Sequence, residues 1–313
     1  MEMVHHKFQS TLFRSDNICI FLKCILKAIN TVDKLLGKYS KFKSNSRIDA
    51  GRPLHTEFQI VSIIASVFLL KHTTIEYDDN YNVSNVIYDF YHTNQKWKTE
   101  QEEQFRKNVA KIYTIDVLQH KWAGSGDRKL DQFLLNPDYY CREVGVKEIE
   151  TVIDSWYAQL NGERMEIGKV ATPKEPELLL IAIMYLTIFK ADQQLDGSKY
   201  DIEHLGTKKL MRKQLDRFNG DLRLPISSLG NLCLLPEYEN RSKGEKTIYQ
   251  DKEYLKKSKY SLDELERIFT LTKQEDMQWM DDFTLSIDEV KSNYYEFIDN
   301  RFKKIKEILL SSF

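Results

Sequence analysis

Apolar residues recur at helical spacing along most of this chain. Between residues 18 and 36 they lie on one side of a helix, a pattern typical of an amphipathic helix, and we expect Gly37 to end it. Two segments are apolar on every side, which indicates buried helices: one begins soon after Pro53 and ends near Lys71, and the other covers residues 177–190. Amphipathic spacing predicts helices at three further places: residues 99–119, 146–160 and 288–310.

Two short segments between these helices are less regular. Residues 86–92 are rich in aromatic side chains and fit either a helix or a strand. The run from Trp122 to Asp127 contains two glycines, but it lacks the spacing of a phosphate-binding loop and follows a predicted helix. We therefore expect a turn that Trp122 anchors.

The stretch from residue 201 to residue 260 has a different pattern. It begins with a short strand, and residues 229–235 favour a second strand that Pro236 ends. After a polar loop, residues 247–257 show helical spacing. The predicted order in this stretch is therefore strand, strand, helix.

Groups suited to phosphodiester hydrolysis lie in the same stretch. Hydrolysis needs a base that takes a proton from water and a cation that stabilises negative charge on the phosphate and the leaving oxygen. The imidazole of His204 suits the first task, and the oxygens of Glu203 and Asn240 are ligands that Mg²⁺ prefers. Because neighbouring side chains in a strand point to opposite faces, Glu203 and His204 can reach one site only if the strand ends or bends there. Gly206 makes such a break plausible.

Three blocks in this stretch resemble a known family. The chain reads EHLGT at 203–207, GNLCL at 230–234 and ENRSKGEKTIYQDK at 239–252. These blocks resemble the C-terminal nuclease domain of GmrSD-type modification-dependent restriction proteins, whose pattern is roughly EHI-x-P, then GNL-x-L, then an asparagine and a downstream lysine. That domain belongs to the HNH, or His-Me finger, endonucleases. The family's proline after the histidine is absent, and Gly206-Thr207 stands in its place.

The resemblance assigns a role to five residues. By position, His204 is the general base, Glu203 and Asn240 hold Mg²⁺ or Mn²⁺, Asn231 holds the loop that carries His204, and Lys252 contacts phosphate. Each residue also has an ordinary structural interpretation. His204 could be a satisfied polar residue, Asn231 a turn residue, Asn240 a helix N-cap and Lys252 a solvated helix position.

The charge distribution supports a polyanionic partner. The whole chain has a net charge of −1, but residues 204–260 contain thirteen Lys or Arg against seven Asp or Glu. This segment therefore carries +6 and the rest of the chain −7. A local positive field favours nucleic acid, because neutralising phosphates releases counterions. The alternative is an ordinary lysine-rich surface.

Composition also bears on the compartment. The four cysteines, Cys19, Cys24, Cys141 and Cys233, show no CxxC spacing, which agrees with a reducing cytoplasm. Residues 1–14 are polar and mixed, unlike a signal peptide. The apolar runs at 60–70 and 178–189 fall short of the roughly 20 residues that a membrane span requires. We expect a cytoplasmic protein without a membrane segment.

The sequence thus predicts a mainly α fold in which a helical domain, residues 1–199, carries a small ββα-metal (HNH) finger at 200–260. Helices at 261–313 are expected to pack on the helical domain. The resemblance implies a metal-dependent DNA endonuclease acting in defence against phage or other foreign DNA. A DGQQR-like motif, which marks the ParB-like NTP-hydrolysing domain of the family, is absent near the start of the chain. That activity is therefore expected on a separate subunit, or the nuclease works without it.

Two other interpretations remain open at this stage. One is a catalytically inactive helical subunit that binds DNA or a partner within a restriction or defence complex. The other is a nuclease that cleaves RNA.

Overall fold

The computed structural model of the chain describes residues 9, 17–40, 57–80, 83–124, 126–134, 136–163, 175–188, 200–236, 246–247, 249–250, 256, 261–263, 266 and 273–313. Helices account for most of them, which confirms the predicted mainly α class. No helix within these ranges is long and apolar enough to cross a membrane.

Two compact units make up the chain. The N-terminal unit contains Met1–Lys38 and His55–Gly145, and the C-terminal unit contains Tyr39–Leu54 and Val146–Phe313. Both strands of the candidate finger lie in the C-terminal unit, together with the last helix. The predicted division at residues 199 and 260 is finer than this one and stays a prediction.

The described part of the N-terminal unit is helical apart from one pair of strands. Its elements are α1 (Asn17–Ser40), α2 (Glu57–His72), β1 (Thr73–Tyr77), β2 (Val83–Tyr88), α3 (Glu102–Leu118) and α4 (Gly126–Leu134). A π-helical turn, Trp97–Gln101, precedes α3, and a 3₁₀ turn, Pro137–Cys141, follows α4.

Helix α3 turns its predicted apolar stripe inward. All five predicted positions are buried: Phe105, Val109, Ile112, Ile115 and Leu118. Beyond the end of this helix, the indole Nε1 of Trp122 donates to Oδ2 of Asp116 at 3.3 Å, and Trp122 is buried. The expected turn anchored by Trp122 is therefore confirmed.

The strands β1 and β2 form an antiparallel pair in which Thr73 faces Tyr88 and Ile75 faces Val86. For residues 86–92 the sequence left helix and strand open, and the structure has a strand that ends at Tyr88.

The described part of the C-terminal unit contains four helices and two strands. They are α5 (Val146–Glu163), α6 (Glu175–Ile188), β3 (Tyr200–His204), α7 (Lys208–Asp216), β4 (Leu232–Pro236) and α8 (Ile287–Ser311). Two 3₁₀ turns, Leu229–Asn231 and Glu275–Asp281, precede β4 and α8.

Helix α8 is the longest element in the described part of this unit. Its first turn is held by a capping box, in which the side chain of Ser286 accepts from the backbone N–H of Glu289 and the Glu289 carboxylate accepts from the backbone N–H of Ser286. The predicted inward stripe is confirmed, because every member is buried: Val290, Tyr294, Phe297, Ile298, Phe302, Ile305 and Leu309. The helix packs on α5, on α6 and on the turn Leu229–Asn231.

The apolar helix α6 is also buried as predicted, with residues 178–185 all in the buried class. The hydroxyl of Tyr185 accepts a hydrogen bond from the backbone N–H of Leu234 at 3.0 Å. This bond fixes β4 to α6.

Two local predictions are wrong. Helix α1 does not end at Gly37 but continues to Ser40. One glycine inside a helix costs only about 1 kcal/mol relative to alanine, too little to outweigh the burial of Ala28, Val32 and Leu36 on the same helix. The strand predicted over 229–235 begins only at Leu232, because residues 229–231 form a 3₁₀ turn whose cap is the side chain of Ser228.

Candidate functional site

The two strands of the candidate finger pair in antiparallel register. His204 faces Leu232, and Glu203 faces Cys233. Strand β3 ends at His204, and the next residue, Leu205, donates its backbone N–H to the carbonyl oxygen of Asn231 at 2.9 Å. The chain therefore leaves the strand at His204, where the sequence predicted a break.

Asn231 holds the segment that follows His204. Its Oδ1 accepts from the backbone N–H of Gly206 at 2.8 Å, and its Nδ2 donates to the carbonyl oxygens of Ile226 at 2.8 Å and Gly206 at 3.3 Å. The side chain is 0% exposed. The Asn231 amide therefore joins the turn before β4 to the segment that follows His204.

The turn after His204 is crowded. A Cβ atom on Gly206 would lie 3.2 Å from Cε of Met280 and 3.3 Å from Oδ1 of Asn231, tighter than an ordinary van der Waals contact. Thr207 caps helix α7 through its side chain, which accepts from the backbone N–H of Leu210 at 3.4 Å. Its φ of −59° is an angle that proline also adopts. Thr207 therefore caps α7 at a φ angle that proline could also adopt.

His204 is the buried residue that immediately precedes this turn. It is 4% exposed, and its Nε2 is 3.4 Å from the hydroxyl of Ser227, which is itself buried. The distance is at the long end for a hydrogen bond, and the tautomer of the imidazole decides which partner donates. Ser227 therefore faces one defined nitrogen of the candidate base.

Glu203 leaves the strand on the other side. It is half-buried and shares a face of the strand pair with Cys233, whereas His204 shares the opposite face with Leu232. Within the described ranges, no three His, Cys, Asp or Glu side chains form a group that could hold a metal ion. The structure therefore joins the segment after His204 to Asn231 and places Glu203 on the opposite face of the strand pair from His204.

Asn240 and Lys252, the other two predicted site residues, lie outside the described residues. So does most of the helix predicted over 247–257. At its start, the backbone N–H of Gln250 donates to the carbonyl oxygen of Thr247 at 3.1 Å. The assignment of both residues stays a prediction.

Arg301 is a site residue that the sequence reasoning missed. Its guanidinium Nη1 donates to the carbonyl oxygens of Leu229 at 3.2 Å and Gly230 at 2.9 Å, and also to that of Leu232. The residue is 1% exposed, and burial lowers the pKa of the guanidinium. A signal was present in the sequence, because Arg301 falls on the apolar stripe of α8, where a cation requires a buried partner.

Gly230 allows α8 to reach this turn. A Cβ atom at residue 230 would lie 2.2 Å from the carbonyl oxygen of Ile298, so only glycine fits. One turn earlier in the same helix, the hydroxyl of Tyr294 donates to the carbonyl oxygen of Pro225 at 2.8 Å. Helix α8 therefore clamps both ends of the segment that runs from Pro225 to the start of β4.

A second tyrosine supports the same segment from α5. The hydroxyl of Tyr157 accepts from Ser228 at 3.3 Å and donates to Oδ1 of Asp299 at 3.1 Å, and its ring stacks on Phe302 with centroids 3.6 Å apart. Burial raises the pKa of this phenol, so it remains a hydrogen-bond donor. The turn that carries Ser227 and Ser228 is thus held from two helices.

Comparison of the chain with protein-family models, with curated proteins and with solved structures gives no match. The assignment of the site therefore depends on its residues and on the resemblance of the three sequence blocks.

Proposed function

We propose that this protein is a metal-dependent HNH-type endonuclease that hydrolyses phosphodiester bonds in DNA, in defence against phage or other foreign DNA. The observation that carries the proposal is the turn after His204, which Asn231 closes with three buried hydrogen bonds. A histidine at the end of one strand, joined to an asparagine at the start of the next, is the arrangement that the EHLGT and GNLCL blocks imply.

In the proposed reaction His204 takes a proton from the attacking water. A general base must hold its ring in one orientation, and the short turn of residues 205–207 between β3 and α7 limits how far His204 can move. Ser227 faces Nε2 at 3.4 Å, and Asn231 fixes the backbone two residues after the imidazole. These contacts position the base before substrate binds.

Glu203 and Asn240 are the residues that would hold the metal. Mg²⁺ keeps several of its waters and needs only one or two protein oxygens, which these two side chains would supply. A bound Mg²⁺ or Mn²⁺ would stabilise negative charge on the phosphate and on the leaving oxygen.

Cleavage of supercoiled plasmid tests the proposal. With Mg²⁺ or Mn²⁺ the wild-type protein should nick or linearise the plasmid, and both His204→Ala and Glu203→Gln should lose this activity. Glu203→Gln is nearly isosteric and half-buried, so it controls for any misfolding of the buried His204→Ala variant. His120→Asn, at an exposed histidine of the N-terminal unit, should cleave like the wild type.

Equal cleavage by the wild type and both site variants would reject this site. Cleavage of RNA alone would change the substrate, and folded protein that cuts neither polymer would favour an inactive binding subunit. Metal binding separates the last case further, since Mn²⁺ should raise the thermal midpoint of the wild type but not that of Glu203→Ala.

A further inference from the structure

Helix α7 divides its residues sharply between two faces. Leu210, Met211, Gln214 and Leu215 are buried, whereas Lys208, Lys209, Arg212 and Lys213 are exposed. At 3.6 residues per turn, the four cations fall within an arc of about 140°. We call this set of four side chains the cationic face of α7.

Three of the four cations on this face have no ion pair within the described part of the chain. Lys208, Arg212 and Lys213 form no ion pair with any residue in the described ranges, and the only acid of the helix is Asp216 at its last position. Within the described part of the chain, these three side chains are therefore exposed and available to an anionic ligand.

The arrangement of these cations disfavours the helix itself. Lys208 and Arg212, and likewise Lys209 and Lys213, are like charges four residues apart, which destabilise a helix. Lys208 and Lys209 also occupy the first turn, where the positive end of the helix dipole repels cations and no acid is present. An ordinary solvated helix intersperses acids at these positions, and an anionic ligand would relieve both repulsions.

The cationic face is fixed relative to His204. Only residues 205–207 separate His204 from the start of α7, and Asn231 binds the middle of this connection. At the other end, the buried amide of Gln214 donates to the carbonyl oxygens of Met280 at 3.1 Å and Asp282 at 2.9 Å. The helix therefore cannot rotate its cations away without breaking buried hydrogen bonds.

Arg217 adds further hydrogen bonds at the C-terminal end of α7. Its guanidinium donates to the carbonyl oxygen of Leu285 at 2.7 Å and also to the side-chain oxygen of Gln214. Because Arg217 is used inside the fold, it is not part of the cationic face. Arg217 thus holds α7 in place, whereas the four cations of the cationic face are exposed.

We propose that the cationic face of α7 binds the sugar-phosphate backbone of DNA beside His204. The four cations extend over about 7.5 Å of helix axis, and one strand of duplex DNA places a phosphate every 3.4 Å or so along its axis, so two or three phosphates lie within reach. Contacts of this kind position a duplex without reading its sequence. That this DNA is also the substrate rests on the proposed function.

The test is a binding measurement in which cleavage cannot occur. Fluorescence anisotropy of a labelled duplex is followed in EDTA over a series of salt concentrations. Lys208, Lys209, Arg212 and Lys213 are changed together to Gln, and a control variant changes Lys147, Lys291, Lys303 and Lys304 to Gln. The control residues are exposed helix positions of the same unit, so both variants lose four positive charges.

The α7 variant should bind about tenfold or more weakly at moderate salt, and the slope of log K against log salt should fall in magnitude by about 2 to 3, because each of the two or three phosphate contacts contributes about 0.9. The control variant should keep the wild-type slope. Because like-charge pairs destabilise a helix, removing them should leave the thermal midpoint of the α7 variant at or above that of the wild type. Weaker DNA binding by this variant would then not result from misfolding.

Equal losses in the two variants would overturn the proposal, since they would show a general effect of net charge. Binding to vesicles of phosphatidylcholine and phosphatidylserine that depends on α7, without binding to DNA, would overturn it in favour of a membrane surface.

The α7 proposal and the proposed nuclease function can be rejected independently of each other. Binding through α7 without plasmid cleavage removes only the nuclease, and cleavage with equal binding by both variants removes only the role of α7.

Discussion

The Nη1 atom of Arg301 lies 2.9 Å from the carbonyl oxygen of Gly230, although 71 residues separate them in the chain. The same nitrogen also serves the carbonyl oxygens of Leu229 and Leu232. A guanidinium can donate in several directions from one plane, which suits it to a turn whose carbonyls point inward. The last helix is therefore part of the support for the candidate site.

Replacing Arg301 should destabilise the C-terminal unit strongly. Arg301→Met keeps much of the side-chain volume but leaves the carbonyl oxygens of residues 229, 230 and 232 without this donor, at a cost of about 3 kcal/mol or more in the free energy of unfolding. Urea denaturation followed by tryptophan fluorescence measures the change.

A matched control lies on the same helix. Lys303 is exposed, so Lys303→Met should change the free energy of unfolding by no more than about 0.5 kcal/mol. Similar stability of the two variants would show that the buried guanidinium does not hold the turn.

Long apolar stripes made the large helices predictable. Helices α3 and α8 each bury every residue of the stripe that the sequence indicated, because repeated burial along one face outweighs any single local preference. The start of β4 was not predictable in this way. Residues 229–231 read as the beginning of an apolar strand, but the cap from Ser228 and the approach of Ile298 and Arg301 make them a turn.

The sequence pattern did not predict helix α7, because this helix lacks a long apolar stripe. Its nine residues, KKLMRKQLD, contain only three apolar side chains, too few for a clear helical period. The structure shows that Gln214 completes the buried face through hydrogen bonds to distant carbonyls. A buried glutamine does not contribute to an apolar period, and the partners of Gln214 are more than 60 residues away in the chain.

The candidate site was predictable in part. Asn231 follows Gly230 in the GNLCL block, and its amide holds the segment after His204. The long-range supports, Arg301 and Tyr157, could not be inferred from the blocks themselves, because their partners are backbone carbonyls or hydroxyls that no local pattern marks.

Removing the Asn231 amide should loosen the turn after His204 before the rest of the unit. In Asn231→Ala the backbone N–H of Gly206 loses its acceptor, and the carbonyl oxygen of Ile226 loses a donor. Each buried group left unsatisfied costs about 1 to 3 kcal/mol. Hydrogen exchange at the Gly206 amide should therefore become faster, and plasmid cleavage under the proposed function should fall.

Two further variants sharpen this prediction. Asn231→Asp keeps an acceptor for Gly206 but turns a carboxylate oxygen toward the carbonyl oxygens of Ile226 and Gly206, so it should not restore protection. Asn300→Ala, at an exposed position of α8, should exchange like the wild type. Wild-type protection of the Gly206 amide in Asn231→Ala would contradict the proposed clamp.

The stability of the N-terminal unit should depend on pH through His72. Burial lowers the pKa of this imidazole from its ordinary value of 6.5, although Nδ1 lies 3.2 Å from the carbonyl oxygen of Asp89 and 3.3 Å from that of His92, contacts that oppose the shift. Nearby Lys71 and Lys27 lower the pKa further. As the pH falls below 6.5, the unfolded chain takes up a proton that the folded chain does not, so the free energy of unfolding decreases.

The expected loss is below about 1.4 kcal/mol per pH unit, the limit for one proton, and it should be absent above pH 7. Urea denaturation at a series of pH values measures it. His72→Asn keeps a donor near the position of Nδ1 and should flatten this part of the profile. His120→Asn is the control, because His120 is exposed and has φ of +50°, an angle that asparagine tolerates. A profile for His72→Asn that parallels the wild type between pH 5 and 7 would assign the dependence to other groups.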